Sequence, residues 1–151
     1  MSFGYGTYSF EIASDAARLD SNLVLGLFSW SDTSAYKHRE IDIEISRWGR
    51  PNSENMQFVV PPYDVAGNMR RFMLPLGNLP SIHRFTWAPE RIDFQTIAGS
   101  DVVKQFAVER HIPAGDEHAH INLWSMNTGL SGDGVTEILV KSFKFEPLHS
   151  P

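Results

Sequence analysis

The sequence predicts an all-β fold, an antiparallel β-sandwich or jelly roll, and three observations carry that expectation. Apolar and polar residues alternate with period two in one short segment after another. Turns rich in Gly, Pro and Asn separate those segments. A helical period is confined to one short stretch, residues 14–20, which reads equally as loop. Short strands with frequent turns are the pattern of two packed antiparallel sheets.

Taken in order, nine strands are expected. Residues 7–12 alternate after a Gly4-Tyr5-Gly6 turn. Residues 23–30 are apolar at successive positions at their start, so that strand is expected to be buried on both faces there. Residues 39–45 alternate strictly, and residues 55–60 form a strand closed by Pro61-Pro62, which has no N–H for a ladder. After a turn at Ala66-Gly67-Asn68 come residues 71–76; residues 83–87 and 91–97 flank Ala88-Pro89-Glu90 as a hairpin. Residues 120–125 and 137–145 complete the set, separated by a Gly-, Ser- and Asp-rich loop at 127–134.

Composition bounds the function. A chain of 151 residues with 42% hydrophobic and 12% aromatic residues suits one domain with one core, not a disordered segment. The net charge of -5 comes from scattered acids, and no basic patch offers a surface to nucleic acid or to an anionic membrane. Without cysteine there are no disulfides, thiol nucleophiles or thiolate-held metals. No apolar run approaches the ~20 residues that span a bilayer, and Met1-Ser2-Phe3-Gly4 lacks the basic start and apolar stretch of a signal peptide.

The segment with chemistry in it is Arg39-Glu40-Ile41-Asp42-Ile43-Glu44-Ile45. On a strand, alternate residues share a face, so Glu40, Asp42 and Glu44 point one way while the three isoleucines point into the core. Like charges side by side repel, which is unfavourable without a compensating role. The Cα atoms of the outer two lie about 13 Å apart at ~3.3 Å per residue, and glutamate side chains leaning inward bring their carboxyls to the ~5–5.5 Å that suits a retaining glycosidase. Asp42 between them shares a proton with a neighbour and separates the two glutamates in pKa. Spacing alone equally suits an exposed acidic strand face or a surface cation site.

The surroundings narrow the choice. Gly4-Tyr5-Gly6-Thr7-Tyr8, Glu40-Ile41-Asp42-Ile43-Glu44, residues 83–87 with Pro89, and Ile121-Asn122-Leu123-Trp124 occur in that order. The series resembles glycoside hydrolase family 16, the lichenases, laminarinases and xyloglucan endotransglycosylases built on a concanavalin A-like jelly roll. The resemblance runs from about Phe3 to Phe145 and implies a single domain over 1–151, short at its N-terminus. It implies that Glu40 is the nucleophile, Glu44 the general acid/base and Asp42 the assisting carboxylate, in a retaining endo-β-glycosidase acting on a β-glucan-like polysaccharide. One residue between Asp42 and Glu44 matches the unbulged, lichenase-like strand. Trp30, Gln57, Asn122 and Trp124 match positions that line the family's sugar cleft. No cofactor is implied, and an extracellular or periplasmic location is.

Departures from the family pattern carry further expectations. Val59-Val60-Pro61 stand where lichenases place an asparagine and aromatics, removing polar sugar contacts. Lys141 stands about where some relatives place a calcium-linked aspartate, so no such metal site is expected. The strands that relatives carry before the Gly-Tyr-Gly turn are missing, which would bare the edge strands and favour a homo-oligomer. The same departures keep a second possibility open, a carbohydrate-binding sandwich with little or no catalysis.

Other residues read more plainly. His118 and His120 with His111, Asp116 and Glu117 suggest metal ligation, but exposed loop histidines are the simpler expectation. Trp87 and Phe94 are expected in the core or on the far sheet. No G-x-S-x-G elbow is present, and Gly129 to Gly134 precedes no helix and so makes no phosphate loop. Arg47, Trp48 and Arg50 suit either the rim of the cleft or a solvated turn.

Overall fold

The computed structural model describes residues 3–32, 39–75, 77, 80–113, 115, 117–126 and 135–148. The loop at 127–134 with its glycines, Asp116, and the expected end of a strand at Leu76 lie outside the described residues. Ten strands form: β1 (Gly6–Ile12), β2 (Leu23–Trp30), β3 (Ile41–Ile45), β4 (Met56–Val59), β5 (Met69–Phe72), β6 (Ser81–Ala88), β7 (Arg91–Ala98), β8 (Asp101–Val108), β9 (His118–Ser125) and β10 (Val140–Pro147). Residues 14–20 contain a single 3₁₀ turn, Ala16–Arg18. All described pairings are antiparallel, in two five-stranded sheets ordered β10-β1-β6-β7-β8 and β5-β4-β3-β2-β9. This is the predicted antiparallel sandwich.

The inward faces follow the alternation. Tyr8, Phe10 and Ile12 of β1, Phe85 and Trp87 of β6, and Ile92 and Phe94 of β7 meet Leu25 and Leu27 of β2, Ile41, Ile43 and Ile45 of β3, and Phe58 of β4 in one buried cluster. Phe58 and Phe94 stack across the two sheets at 4.9 Å between centroids, and Tyr8 stacks on Phe85 at 4.8 Å. Such pairs add to the burial of their large apolar area. Trp87 and Phe94 are thus core residues, as expected. The start of β2 is buried at five successive positions, as its unbroken apolar run requires.

A buried polar trio, His83, Ser81 and Thr96, sits in this core. His83 of β6 is fully buried, with Nδ1 against Thr96 Oγ1 and Nε2 against Ser81 Oγ, both at 3.0 Å. Burial disfavours the charged ring and pulls its pKa down to about 3.

Strand β8 is the element that the sequence hides. Thr96 of β7 pairs with Lys104, and the next residue, Ile97, pairs with Val102, so Val103 is an inserted residue. That bulge shifts the phase. Val103 and Phe106, three apart, both pack against the core, and period two disappears from the sequence.

The edges β9 and β10 lie on the same side of the sandwich, since the middle strands β3 and β6 face one another and Phe58 of β4 stacks on Phe94 of β7, which sets β1 over β2 and β10 over β9. Their inward residues are not covered: Ile121 and Leu123 of β9 are 42% and 37% exposed and Phe143 of β10 is 39% exposed. Their partners on the next strands, Leu27, Leu25 and Phe10, are buried.

Candidate active site

The outward face of the β5-β4-β3-β2-β9 sheet carries the three acids, and strand register decides their neighbours. Asp42 lies in a cross-strand row running His120, Phe28, Asp42, Val59, Met69. Glu44 lies in the next row, Asn122, Gly26, Glu44, Gln57, Arg71. Directly opposed residues on one face have Cβ atoms about 4.5–5.5 Å apart, so each row is a chain of side-chain contacts. Glu40 lies one residue before β3, and at Ile41 the backbone N–H donates to Ser29 Oγ at 3.1 Å.

Two hollows meet at these acids, and both are lined by Glu40, Asp42 and Glu44. One, of about 530 Å³, is floored by Phe28, Trp30, His120 and Trp124, with Asn122 and Asp32 at its wall. The other, of about 480 Å³, is lined by Trp48, Gln57, Val59, Tyr63, Met69 and Arg71. The acids thus stand at the junction of two lobes that extend across the sheet in opposite directions. A larger hollow of about 690 Å³ lies on the far sheet between Thr7, Arg84, Thr86, Gln95 and Gln105. Its charged members include Arg91 and Asp93, which neutralise one another at 2.8 Å, and it has no cluster of acids.

Within the groove the carboxyls are not equivalent. Asp42 is buried. Burial pushes its carboxyl well above the usual range, the charges of Glu40 and Glu44 push the same way, and a hydrogen bond to Glu40 favours the protonated form. Burial, the neighbouring charges and the bond to Glu40 all favour a proton on Asp42. Burial also raises Glu44, opposed by a hydrogen bond from Gln57 and by the positive charge of Arg71. The row as a whole behaves as a coupled set, in which one neutral acid separates two glutamates in different surroundings.

Every site residue expected from the sequence lines one lobe or the other. Trp30, Asn122 and Trp124 meet in the aromatic lobe, where Trp30 Nε1 donates to Asp32 Oδ1 at 2.9 Å. Gly26 makes room for this arrangement: a Cβ there would stand 2.5 Å from Asn122 Oδ1. Gln57 lines the second lobe, but its amide is already engaged. Its NH₂ donates to Glu44 Oε2, and its carbonyl oxygen accepts from Arg71 Nε at 2.8 Å.

Several neighbours were not legible in the sequence. His120, on a strand as the sequence predicts, stacks on Phe28 at 5.4 Å, with His118 beside it at 6.4 Å; His111 and His118 are exposed as expected, but β9 begins at His118, so that residue is on the strand and not in a loop. Among the described residues no group of three His, Asp or Glu is arranged to hold a metal ion. Lys141 pairs with Glu11 at 2.7 Å on the far sheet. Arg47 donates to the carbonyls of Leu19 and Ala17 and is a structural brace, whereas Trp48 lines the second lobe. Arg71 and Tyr63 were not anticipated; finding them needed the β4–β5 register and the path of the chain after Pro62.

Comparison with family models finds no match, and comparison with curated proteins by sequence finds none either. Solved structures do match. A native glycosidic hydrolase superposes with a TM-score of 0.65 at 24% identity, covering 99% of this chain and 68% of its own. The Bacillus licheniformis β-glucanase gives 0.61 at 21% identity, over 91% and 63%. A prokaryotic β-1,3-1,4-glucanase (lichenase) from a mouse hindgut metagenome gives 0.64 at 19%, over 98% and 69%. The chain spans about two thirds of the length of these proteins, and over that span it has the jelly-roll fold of β-glucanases.

Proposed function

We propose that the chain is a retaining endo-β-glycosidase of the family 16 type, hydrolysing a β-glucan-like polysaccharide by double displacement. The observation that carries this reading is the position of Glu40, Asp42 and Glu44 at the junction of two lobes, so that a polymer lying through both presents an internal linkage to the acids. Indole and phenyl faces in the aromatic lobe suit the apolar C–H faces of pyranose rings, with Asn122 supplying a polar contact.

In this reading the Glu40 carboxylate attacks the anomeric carbon, forming a glycosyl ester as the glycosidic C–O bond breaks. Glu44, kept protonated by burial, gives its proton to the leaving oxygen. Glu44 then takes a proton from water as that water attacks the same carbon, and Glu40 is released. Asp42, neutral and bonded to Glu40, spares the groove a second negative charge. The test is release of reducing sugar from a panel of β-glucans. Turnover by the wild type, lost in Glu40→Ala and Glu44→Gln, supports the enzyme; binding without turnover drops it.

One observation favours a second reading, a carbohydrate-binding sandwich with weak or no catalysis. On one side of the sandwich the inward apolar residues of β9, the strand that walls the aromatic lobe, and of β10 are partly exposed. Affinity for glucan that survives in Glu40→Ala, with no product from the wild type, would favour it.

A further inference from the structure

We infer that Arg71, held over Trp48, is a positioning residue that acts through Gln57 to fix the orientation of Glu44 and to stabilise the carboxylate that remains once its proton has gone to the leaving oxygen. The inference rests on the glycosidase reading for its catalytic meaning, but the contact chain stands by itself. Glu44, Gln57 and Arg71 occupy one cross-strand row on β3, β4 and β5. Arginine carries only donors, so Arg71 Nε at 2.8 Å forces the carbonyl oxygen of Gln57 towards itself. The amide NH₂ of Gln57 then faces Glu44 Oε2. A side-chain amide that would otherwise sit in either flip is thereby set in one.

The far end of the chain is braced. The Arg71 guanidinium carbon lies 4.2 Å from the centre of the Trp48 ring, within the range of a cation–π contact. Trp48 has φ 46°, in the left-handed region that a bulky residue rarely enters, and its N–H donates to Ser46 Oγ at 2.9 Å. A strained residue held in place by its neighbours, with its ring under a half-buried cation, is the kind of support a precise site needs.

The chemistry explains why such a brace would matter. An acid that serves both half-reactions must give its proton to the leaving oxygen in the first and stand ionised, ready to take one from water, in the second. Burial alone favours the protonated form of Glu44; the Gln57 bond and the Arg71 charge act in the other direction. The other groups facing Glu44 give no comparable help. Glu40 and Asp42 beside it are acids, β2 offers Gly26 and Phe28, β4 otherwise offers Val59, and His120 of β9 lies in the neighbouring row. Without Arg71 the Glu44 carboxylate left after the first half-reaction loses its nearest positive charge.

The experiment uses the whole chain and reads Glu44 directly. Carbon-13 NMR titration of the Glu44 carboxyl is compared among wild type, Arg71→Met and Arg71→Lys, beside pH profiles of kcat and kcat/KM on a glucan. Expected in Arg71→Met are an upward move in the pH at which Glu44 titrates, a matching upward move of the alkaline limb, and a fall in kcat of about 10-fold or more with KM changed less. Arg71→Lys keeps the charge but not the planar stack and fork, so it restores the titration in part. If Arg71→Met does not fold, Gln57→Leu replaces it with the same expected direction. An unmoved or lowered Glu44 titration overturns the inference even where activity falls, because a merely structural role lowers activity without shifting that curve. A wild type inactive on every glucan, with Glu44 still responding to Arg71→Met, would sink the glycosidase reading and leave the contact chain standing.

Discussion

Asp42 and Glu40, two residues apart, share a hydrogen bond in which the buried aspartic acid carries the proton and the more accessible glutamate receives it. The raised pKa has a cost in stability. The unfolded aspartate ionises above its ordinary value of 3.8 while the folded one stays neutral, so folding becomes less favourable as pH rises through that window. Asp42→Asn removes the titration and keeps a donor for Glu40. Its expected outcome is a higher Tm than wild type at pH 7, a gap that closes as pH falls towards 3.8, and slower turnover. Thermal melts across pH check the first two. A variant less stable than wild type at pH 7 would mean that Asp42 is ionised in the folded chain.

His83 gives the opposite window. Its folded pKa of about 3 lies below the ordinary 6.5, so the unfolded chain takes up a proton that the folded one refuses. Stability is complete above 6.5 and falls as pH drops towards 3, by roughly 1.4 kcal/mol per pH unit from this group alone. His83→Gln keeps partners for Ser81 and Thr96 and is expected to flatten that part of the curve in urea melts between pH 4 and 7. An unchanged slope would show that the ring is charged in the folded state.

Gly26 is predicted to govern one polar contact in the aromatic lobe. In Gly26→Ala the new Cβ meets the end of the Asn122 side chain, which swings away, and the Phe28 ring at 3.3 Å gives slightly. Stability is expected within about 1 kcal/mol of wild type, with weaker glucan binding and a raised KM. Affinity electrophoresis on glucan measures this, and unchanged binding would remove Asn122 from the set of sugar contacts.

How much of this was legible follows from what alternation can encode. Residues 39–45 announce their own sidedness, because three isoleucines and three acids cannot share a face; both the core and the acid row were readable there. Trp30 and Trp124 were placed through resemblance, and the structure brings both into one lobe. Cross-strand register is a different kind of information. Arg70 and Arg71 are adjacent and chemically alike, and only the pairing of Gln57 with Arg71 and of Phe58 with Arg70 selects the one that reaches Glu44. Strand β8 failed for a local reason, the inserted Val103, which puts its core residues out of phase.

The open side of the sandwich leads to a prediction about assembly. Ile121 and Leu123 of β9 and Phe143 of β10 present inward-type apolar side chains to solvent on strands that, among the described residues, are the sheet edges, a combination that invites pairing with a second copy. Light scattering is expected to give a mass above that of one 17.1 kDa chain, falling with dilution. The double variant Ile121→Lys, Leu123→Lys is expected to shift the population towards single chains. A monomer at every concentration would count against self-association.

The most direct measurement of the double-displacement centre is mass spectrometry of the whole chain after incubation with a 2-deoxy-2-fluoro glycoside carrying a good leaving group. The fluorine slows both steps, and the leaving group restores the first, so a covalent glycosyl-enzyme accumulates. The expected result is a single adduct that maps to the peptide bearing Glu40 and is absent from Glu40→Ala. Turnover of glucan with no adduct, an adduct on another residue, or a first-formed product of inverted anomeric configuration would contradict it.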